Sequence, residues 1–393
     1  MNEELQDKSF KKGVICGIIP TLIISLMVCM AIFVRERSTR VRFSEETVKK
    51  LNTIQKLVEN EFLFDIDDEK MEEALVRGYL TGLDDEYSVY YTKDEMEEIT
   101  HGMNGTYSGI GVTVRLDNGK LVVMDVTENG PAFEAGIKAD DIIIAVDGIT
   151  LTGTTIDEIS KPLTGESGTT SKITVLRDGK ELEFSVTRKN LEYNYVAYKM
   201  LDDKIAYIGI THFTAATVNQ FKSAVDSMIT DGAKAVIFDV RSNTGGTLSA
   251  VTQMGDYLIP KGLIMYTEDK KGNRNEYNST DADAKLNIPC VVLTDEYTAS
   301  ASEVFSGALK DHGLAVTVGK NTFGKGIVQS VISLYDGSAV KFTIERYFTP
   351  NGTCIHEIGI APDVEAELDK DKLINEEIDT QLEAAIEKIK EMM

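Results

Sequence analysis

Residues 235–258 read AVIFDVRSNTGGTLSAVTQMGDYL, an apolar run that leads through two glycines into an amphipathic segment. The run Ala235–Phe238 has the length of a buried strand. Gly245 and Gly246 can form a turn whose backbone N–H groups are not shielded by side chains. Leu248–Leu258 then repeats apolar residues at helical spacing. The stretch predicts a strand, a turn and a helix, which together form the repeating unit of an α/β fold.

The same alternation continues before and after this stretch. We predict strands at 205–210, 235–239 and 291–294 and helices at 218–229, 248–258 and 301–309. This order indicates an α/β core over residues 191–368, with its site at the strand ends. An amphipathic helix within 369–393 should pack on this core or on a second subunit; its apolar positions are Ile378, Leu382, Ala385, Ile386 and Ile389.

A serine and a lysine in the C-terminal half are candidate catalytic residues. The segment Thr298–Glu303 brings small residues to the start of a helix, so Ser300 is expected on an exposed first turn. Lys325 lies between two glycines, which allow neighbouring backbone to pack closely. Gln329 follows four residues later, a spacing that shares one face in a helix or in a strand.

These three residue types fit a serine–lysine hydrolase. A serine hydroxyl needs a base, and a lysine with its ordinary pKa of about 10.4 cannot serve at neutral pH. Burial can lower that pKa by up to about 3–5 units. Gln329 can orient a neutral amine without adding a counter-charge. We therefore predict that Ser300 is the nucleophile and Lys325 the base; the alternative is a helix-capping serine and a solvated lysine.

Further segments give the chain a family resemblance. They occur at 83–90 (LDDEYSVY), 239–246 (DVRSNTGG), 298–303 (TASASE), 322–329 (TFGKGIVQ), 347–352 (YFTPNG) and 359–363 (GIAPD). In sequence and order they resemble the C-terminal processing peptidases, also called tail-specific proteases. The resemblance implies a serine endopeptidase in which Ser300, Lys325 and Gln329 form the catalytic group.

The glycine turn has an implied role in the same site. The resemblance implies that Gly245 and Gly246 supply oxyanion-hole N–H groups, and the Ala301 N–H could join them. Thr244 stands where the family usually has proline, which loosens the turn but keeps its donors.

Residues 105–190 resemble a PDZ domain. The segments at 130–137 (GPAFEAGI) and 140–148 (DDIIIAVDG) are similar to the PDZ signature. The backbone amides of Gly109, Ile110, Gly111 and Val112 would then bind the terminal carboxylate of a peptide that adds as a strand. Thr164 departs from many relatives, which have arginine there, so gating by this domain is in question. The alternative is a PDZ-like scaffold without a ligand.

Composition limits the possible partners. The 41 Lys and Arg residues against 64 Asp and Glu leave a formal charge of −23, which disfavours nucleic acid as a partner. The four cysteines form neither a metal signature nor a disulfide framework, and Cys290 is expected in the core. We expect neither a metal nor a cofactor.

The N-terminal 42 residues predict a membrane anchor. Residues 13–34 are an uncharged run of 22 residues, about 33 Å long as a helix, which is enough to cross a bilayer. The run exceeds a signal-peptide core, so we interpret residues 1–42 as a cytoplasmic tail with an uncleaved anchor. Arginines after the run outnumber lysines before it, and charge alone would favour a cytoplasmic body. The family resemblance implies an extracytoplasmic one.

Together these features predict an α/β (α+β) multidomain protein with an anchor, a helical arm over 43–104, a PDZ domain, a peptidase core and a terminal helix. The predicted function is a single-pass, extracytoplasmic serine endopeptidase that cuts proteins near their C-terminal tails. Its N- and C-terminal helices offer surfaces for a homodimer. The alternative function is a catalytically silent, membrane-anchored PDZ adaptor.

Overall fold

The computed structural model describes residues 43–153, 155–280 and 284–393. The predicted membrane span at 13–34 and the tail around it lie outside these ranges. Among the helices that the structure describes, none combines the length and the apolar character needed to cross a membrane.

Ten α-helices lie within the described ranges. They are α1 (Glu45–Glu61), α2 (Asp68–Thr81), α3 (Lys93–Asn104), α4 (Pro131–Ala135), α5 (Ile156–Ser160), α6 (Ala215–Thr230), α7 (Leu248–Leu258), α8 (Ala301–Asp311), α9 (Lys370–Glu376) and α10 (Thr380–Met392). The described chain up to Leu75 forms one compact unit, and Val76–Met393 forms a second. In the first unit, the Ser44 hydroxyl accepts a hydrogen bond from Thr47 N–H and caps the start of α1.

The central sheet of the second unit contains the predicted α/β core. Its strands are β10 (Val196–Met200), β11 (Ile205–Ile210), β12 (Ala235–Asp239), β15 (Cys290–Thr294), β16 (Val316–Gly319) and β19 (Val364–Glu365), in that spatial order. Neighbouring strands are parallel except for the edge strand β10. Cys290 is fully buried at the start of β15, as expected.

Both faces of this sheet are covered by helices. On one face, α6, α7 and α8 contribute to a core in which the rings of Phe221, Phe238 and Phe305 lie 5.4–6.0 Å apart. On the other face, Ala385 and Ile389 of α10 are buried in a cluster that includes β12 and β15 residues. The terminal helix therefore packs on the core of its own chain, which was one of its two predicted positions.

A second sheet carries the lysine loop. Its strands are β1 (Val89–Tyr91), β13 (Gly262–Asp269), β14 (Arg274–Ser279), β17 (Ile327–Ser333) and β18 (Ala339–Phe348). The long strand β18 pairs with β17, β1 and β13, all antiparallel. A β-bulge at Ile344 of β18 lies opposite Val328 and Gln329. The chain from α8 to β17 therefore brings the predicted serine and lysine segments onto different layers of one core.

The PDZ-like domain has a sheet of its own. Its strands are β3 (Val112–Asp117), β4 (Lys120–Val126), β5 (Ile142–Val146), β6 (Ile149–Thr150), β7 (Thr170–Arg177) and β8 (Lys180–Thr187). Strands β3 and β8 are its edges, and twelve buried apolar residues form a separate core. A short ladder of β2 (Thr106–Gly109) with β9 (Lys189–Glu192) closes the domain where the chain enters and leaves it.

Candidate active site

Ser300 is the residue immediately before α8. Its backbone φ is 57° and its side chain is half-buried. L-residues rarely adopt a positive φ, and holding one there costs roughly 1–3 kcal/mol. The sequence predicted an exposed first turn, but the helix begins one residue later, at Ala301. The turn into the helix therefore sets the direction of the serine side chain.

Glu303 connects the serine segment to the lysine segment. This carboxylate is fully buried. Its Oε2 accepts hydrogen bonds from Ser300 N–H at 2.7 Å and from Lys325 N–H at 2.9 Å. Its Oε1 accepts from Thr322 Oγ1 at 2.6 Å and from Gly324 N–H at 2.8 Å. One buried group thus holds the backbones of both predicted catalytic residues.

Asn243 fixes the glycine turn against the same segment. It is fully buried, and its Nδ2 donates to Ile210 O at 2.9 Å. Its backbone oxygen accepts from Ala299 N–H at 3.0 Å and from Ser302 Oγ at 2.9 Å. Its Oδ1 accepts from Gly245 N–H at 2.9 Å. Asn243 therefore links the glycine turn to the start of α8 through hydrogen bonds.

Two of the three predicted oxyanion donors are free. Neither Gly246 N–H nor Ala301 N–H has an acceptor among the residues that the structure describes. The N–H of Gly245 already donates to Asn243, so it would have to exchange that partner to act as predicted. A Cβ on Gly246, where φ is 147°, would lie 2.1 Å from Phe213 O, so the backbones meet too closely for another residue.

Ser300 opens into a cleft of about 600 Å³. Gly246, Ala301 and Gln329 also line this cleft, and much of its remaining wall is apolar. The apolar lining residues include Leu248, Val304, Ile327, Val328 and Val331. Helix α3 contributes Ile99 and Met103 to the opposite side. The cleft is large enough for several residues of an extended peptide and presents the serine beside two backbone donors.

Lys325 does not line this cleft. Its Nζ lies over the ring of Tyr87, 4.3 Å from the centroid, and no hydrogen bond joins Lys325 to Ser300. Burial, followed by the charge of Lys341, lowers the pKa of the Lys325 amine below its ordinary value, although nearby carboxylates act in the opposite direction. Lys325 thus has the lowered pKa that a general base needs, but its amine lies against the Tyr87 ring.

The loop around Lys325 explains its glycines. Gly324 has a φ of 90°, and a Cβ on Gly326 would lie 2.4 Å from His356 N. Backbone packs directly against backbone here, as expected from the two glycines. The chain enters β17 only at Ile327, so Lys325 belongs to neither a helix nor a strand.

Gln329 lies in β17, whereas Lys325 lies in the glycine loop before this strand. Gln329 lines the cleft, and its Nε2 makes long contacts with Ile327 O at 3.5 Å and Thr343 Oγ1 at 3.4 Å. It makes no hydrogen bond to Lys325. The regular strand period from which a shared face was predicted begins at Ile327, so it does not extend to Lys325.

Three residues that the sequence analysis did not single out complete the site: Asn243, Glu303 and Tyr87. Each lies inside one of the segments that carry the family resemblance. The polarity of the residues in those segments does not indicate which side chain is buried or which residue it contacts. Across residues 43–153, 155–280 and 284–393, no group of three or more His, Cys, Asp or Glu side chains is arranged to hold a metal ion.

An ion-pair network lies behind the glycine turn. Arg241 Nη2 is 2.6 Å from Asp239 Oδ2 and 2.7 Å from Asp379 Oδ2, and its side chain is only 14% exposed. Asp239 also accepts from Tyr207 Oη at 2.8 Å. Because Asp379 caps α10, the network connects the terminal helix to the strand that precedes the turn.

The PDZ-like domain presents a second candidate site. The loop Ser108–Val112 leads into the edge strand β3. The N–H of Gly111 has no acceptor in the described part of the chain. An edge strand preceded by a free amide is the arrangement that adds a peptide strand and binds its carboxylate.

Three family models match the sequence. The model of peptidase family S41 matches residues 204–366, and the PDZ domain model matches residues 108–187. The model of the activating protease CtpB N-terminal domain matches residues 31–95.

The chain is also similar to known proteins. A probable CtpA-like serine protease of Staphylococcus aureus (strain COL) is 32% identical over 364 residues, which are 91% of this chain and 73% of that protein. A putative S41 protease structure from Bacteroides fragilis NCTC 9343 has a TM-score of 0.53 at 17% identity, covers 81% and 90% of the two chains, and supports the fold. The photosystem II D1 C-terminal processing protease has a TM-score of 0.48 at 28% identity, over 80% of this chain and 86% of that one.

Proposed function

Since this chain belongs to the C-terminal processing peptidases of family S41 and carries a PDZ domain, it is a serine-type peptidase, and we propose that it cuts protein substrates near their C-terminal tails outside the cytoplasm. Ser300 is the nucleophile in this proposal and Lys325 is the general base. The observation that carries it is the buried Glu303, which binds the backbone N–H groups of both residues.

The reaction begins when a neutral Lys325 amine removes the hydroxyl proton of Ser300. The serine oxygen attacks the scissile carbonyl carbon, and the resulting oxyanion accepts hydrogen bonds from Gly246 N–H and Ala301 N–H. The protonated lysine then gives its proton to the leaving amine, and an acyl-enzyme remains. Water, deprotonated by the same amine, releases the acid product.

In this mechanism the lysine must leave the ring of Tyr87 before the proton transfer. The lowered pKa favours the neutral amine, which the ring attracts less than the ammonium. Gln329 already faces the cleft and can accept the amine after this movement. The structure therefore corresponds to a resting arrangement in the proposed cycle.

The PDZ domain selects the substrate by its tail in this proposal. In this proposal the terminal carboxylate binds at the loop of Gly109, Ile110, Gly111 and Val112, where the Gly111 N–H is free, while the tail pairs with β3. Charge-assisted hydrogen bonds of this kind are about twice as strong as neutral ones.

We also propose that residues 13–34 anchor the protein in the membrane with its catalytic part outside the cytoplasm. The uncharged run and the family resemblance support this proposal. A protease added to cells that have lost their cell wall but keep an intact cytoplasmic membrane should then digest the catalytic part. A homodimer through the terminal helices stays a prediction, and sedimentation of the full chain would test it.

Activity-based labelling tests the catalytic proposal against a silent PDZ adaptor. A fluorophosphonate should label the wild-type protein at Ser300 and leave Ser300→Ala unlabelled. Ser302→Ala is a matched control, because that neighbouring hydroxyl is buried and donates to Asn243 O. A wild-type chain that neither takes the label nor hydrolyses peptides would support the adaptor instead.

A further inference from the structure

Lys341 of β18 lies in the wall of the cleft that contains Ser300. Its side chain lines the cleft, and its Nζ lies 5.4 Å from the centroid of the Tyr91 ring, which lines the cleft as well. Lys341 is half-buried. A lysine in such a place packs its stem on apolar surface and keeps its charge at the tip. The otherwise apolar wall therefore carries a cation.

The pairing of β17 with β18 fixes where Lys341 lies along the cleft. Lys341 is opposite Val331, four residues after Ile327 at the start of β17. At that start, the backbone of Tyr347 pairs with the lysine loop, and its hydroxyl donates to Ser300 O at 2.9 Å. Four residues of strand measure roughly 13 Å, which is also the length of about four residues of extended substrate. Lys341 is therefore within reach of substrate side chains within about four positions of the scissile bond.

Lys341 has no carboxylate partner in the part of the chain that the structure describes, although the protein carries a formal charge of −23. Glu98 of α3 also lines the cleft, but it is exposed and forms no ion pair with Lys341. The Lys341 charge acts in the catalytic region, because it follows burial among the causes that lower the pKa of the Lys325 amine. An ammonium that is already partly removed from water attracts an incoming carboxylate more strongly than a fully solvated one does.

We propose that Lys341 is a specificity-determining residue that pairs with an acidic side chain of the substrate near the scissile bond. This inference rests on the proposed function, in which the peptide lies in the cleft beside Ser300. Apolar lining selects apolar side chains, but it gives no preference for a carboxylate over the neutral amide of the same shape. Lys341 supplies that preference, so the substrates should carry glutamate or aspartate at one defined position of the cut segment.

The test uses the full-length enzyme and a fluorogenic peptide with a free C-terminal carboxylate. Each of the four residues on either side of the scissile bond is made glutamine or glutamate in turn. At one position the wild-type enzyme should cut the glutamate peptide with a kcat/KM roughly five-fold higher than the glutamine peptide, as expected for one partly exposed ion pair. Lys341→Met should bring this ratio close to one, because it removes the charge and keeps an unbranched stem.

The ratio separates substrate selection from the effect of Lys341 on the base. Without the Lys341 charge the pKa of Lys325 should rise, so Lys341→Met should slow both peptides at neutral pH. The ratio is independent of this effect, because the same base acts on both peptides. Lys341→Arg keeps the charge and should keep most of the preference. Lys199→Gln is the matched control, because Lys199 also lies over a tyrosine ring, 4.6 Å from the centroid of Tyr207, but does not line the cleft.

The outcomes are distinguishable. If the wild-type enzyme cuts the peptides but prefers glutamate at none of the tested positions, the role of Lys341 is refuted while the proposed function stands. The role is also refuted if Lys341→Met keeps the wild-type ratio, or if Lys199→Gln loses it as well. A full-length chain that cuts none of the peptides would overturn the proposed function, and the role of Lys341 with it.

Discussion

Replacing Tyr87 by leucine should make the enzyme active at lower pH. In the structure the Lys325 ammonium lies 4.3 Å from the Tyr87 ring centroid in a half-buried position. Burial raises the pKa of the Tyr87 hydroxyl to about 12, so the ring is neutral at physiological pH. A cation–π contact of this geometry is worth about 1–2 kcal/mol, and it stabilises only the charged amine.

That contact opposes catalysis in two ways. A cation–π contact favours the charged amine and so acts against the lowering of the Lys325 pKa by burial, and in the proposed cycle the amine must leave the ring before it takes the Ser300 proton. Since 1.36 kcal/mol corresponds to one pKa unit, Tyr87→Leu should move the midpoint of the kcat/KM profile down by about 1 pH unit. At pH values below the midpoint the rate should rise up to about ten-fold, and the high-pH plateau should be unchanged.

The assay is kcat/KM on one peptide between about pH 5 and 10, with Tyr87→Phe as the matched control. Phenylalanine keeps the ring and should retain the wild-type midpoint. Thermal unfolding of each variant checks that the fold survives. A Tyr87→Leu enzyme with an unchanged midpoint and a lower plateau would refute the reasoning, because Tyr87 would then hold the lysine in its active position.

Lys325→Arg should be inactive in peptide hydrolysis, because a guanidinium with a pKa above about 12 cannot accept the serine proton; more than trace turnover would remove Lys325 as the base. Glu303→Gln should lower the free energy of unfolding by about 2–5 kcal/mol and reduce kcat, because the new NH₂ faces buried N–H or O–H donors. Exposed Glu296→Gln, its control in both assays, should change neither. Asp379→Asn should cost about 1–3 kcal/mol at pH 7 in urea unfolding. Burial opposes ionisation of Asp379, but hydrogen bonds from Arg241 keep the carboxyl pKa below its usual value. Its contribution is therefore fully present above the unfolded pKa of about 4 and lost as the pH falls through the lower folded value, so the two proteins should converge below that folded value. A constant gap would contradict this origin.

The parallel core was predictable because fully buried strands are short apolar runs. The predicted strands 205–210 and 235–239 match β11 and β12 residue for residue, and the helix predicted at 248–258 matches α7. These features depend on local chemistry, which a sequence contains.

The arrangement of the site was less predictable because it depends on contacts between distant segments. Nothing near Lys325 in the sequence indicates that its amine meets Tyr87, and nothing near Gly245 indicates that Asn243 uses its N–H. The spacing of Lys325 and Gln329 was a poor guide to a shared face because Lys325 lies in a glycine loop, which has no regular period. The residue types of the site could be named from the sequence, but their pairing could not.

Ser300 has a backbone conformation that glycine would adopt without cost, so selection for stability and selection for catalysis favour different residues at this position. A homologue that is no longer selected for peptide cleavage should become more stable when glycine replaces the serine at position 300. A glycine at the serine position would therefore be a mark of lost activity in related sequences. For the same reason, Ser300→Gly should be a better inactive form than Ser300→Ala for trapping a bound substrate, because alanine keeps the strain and glycine releases it.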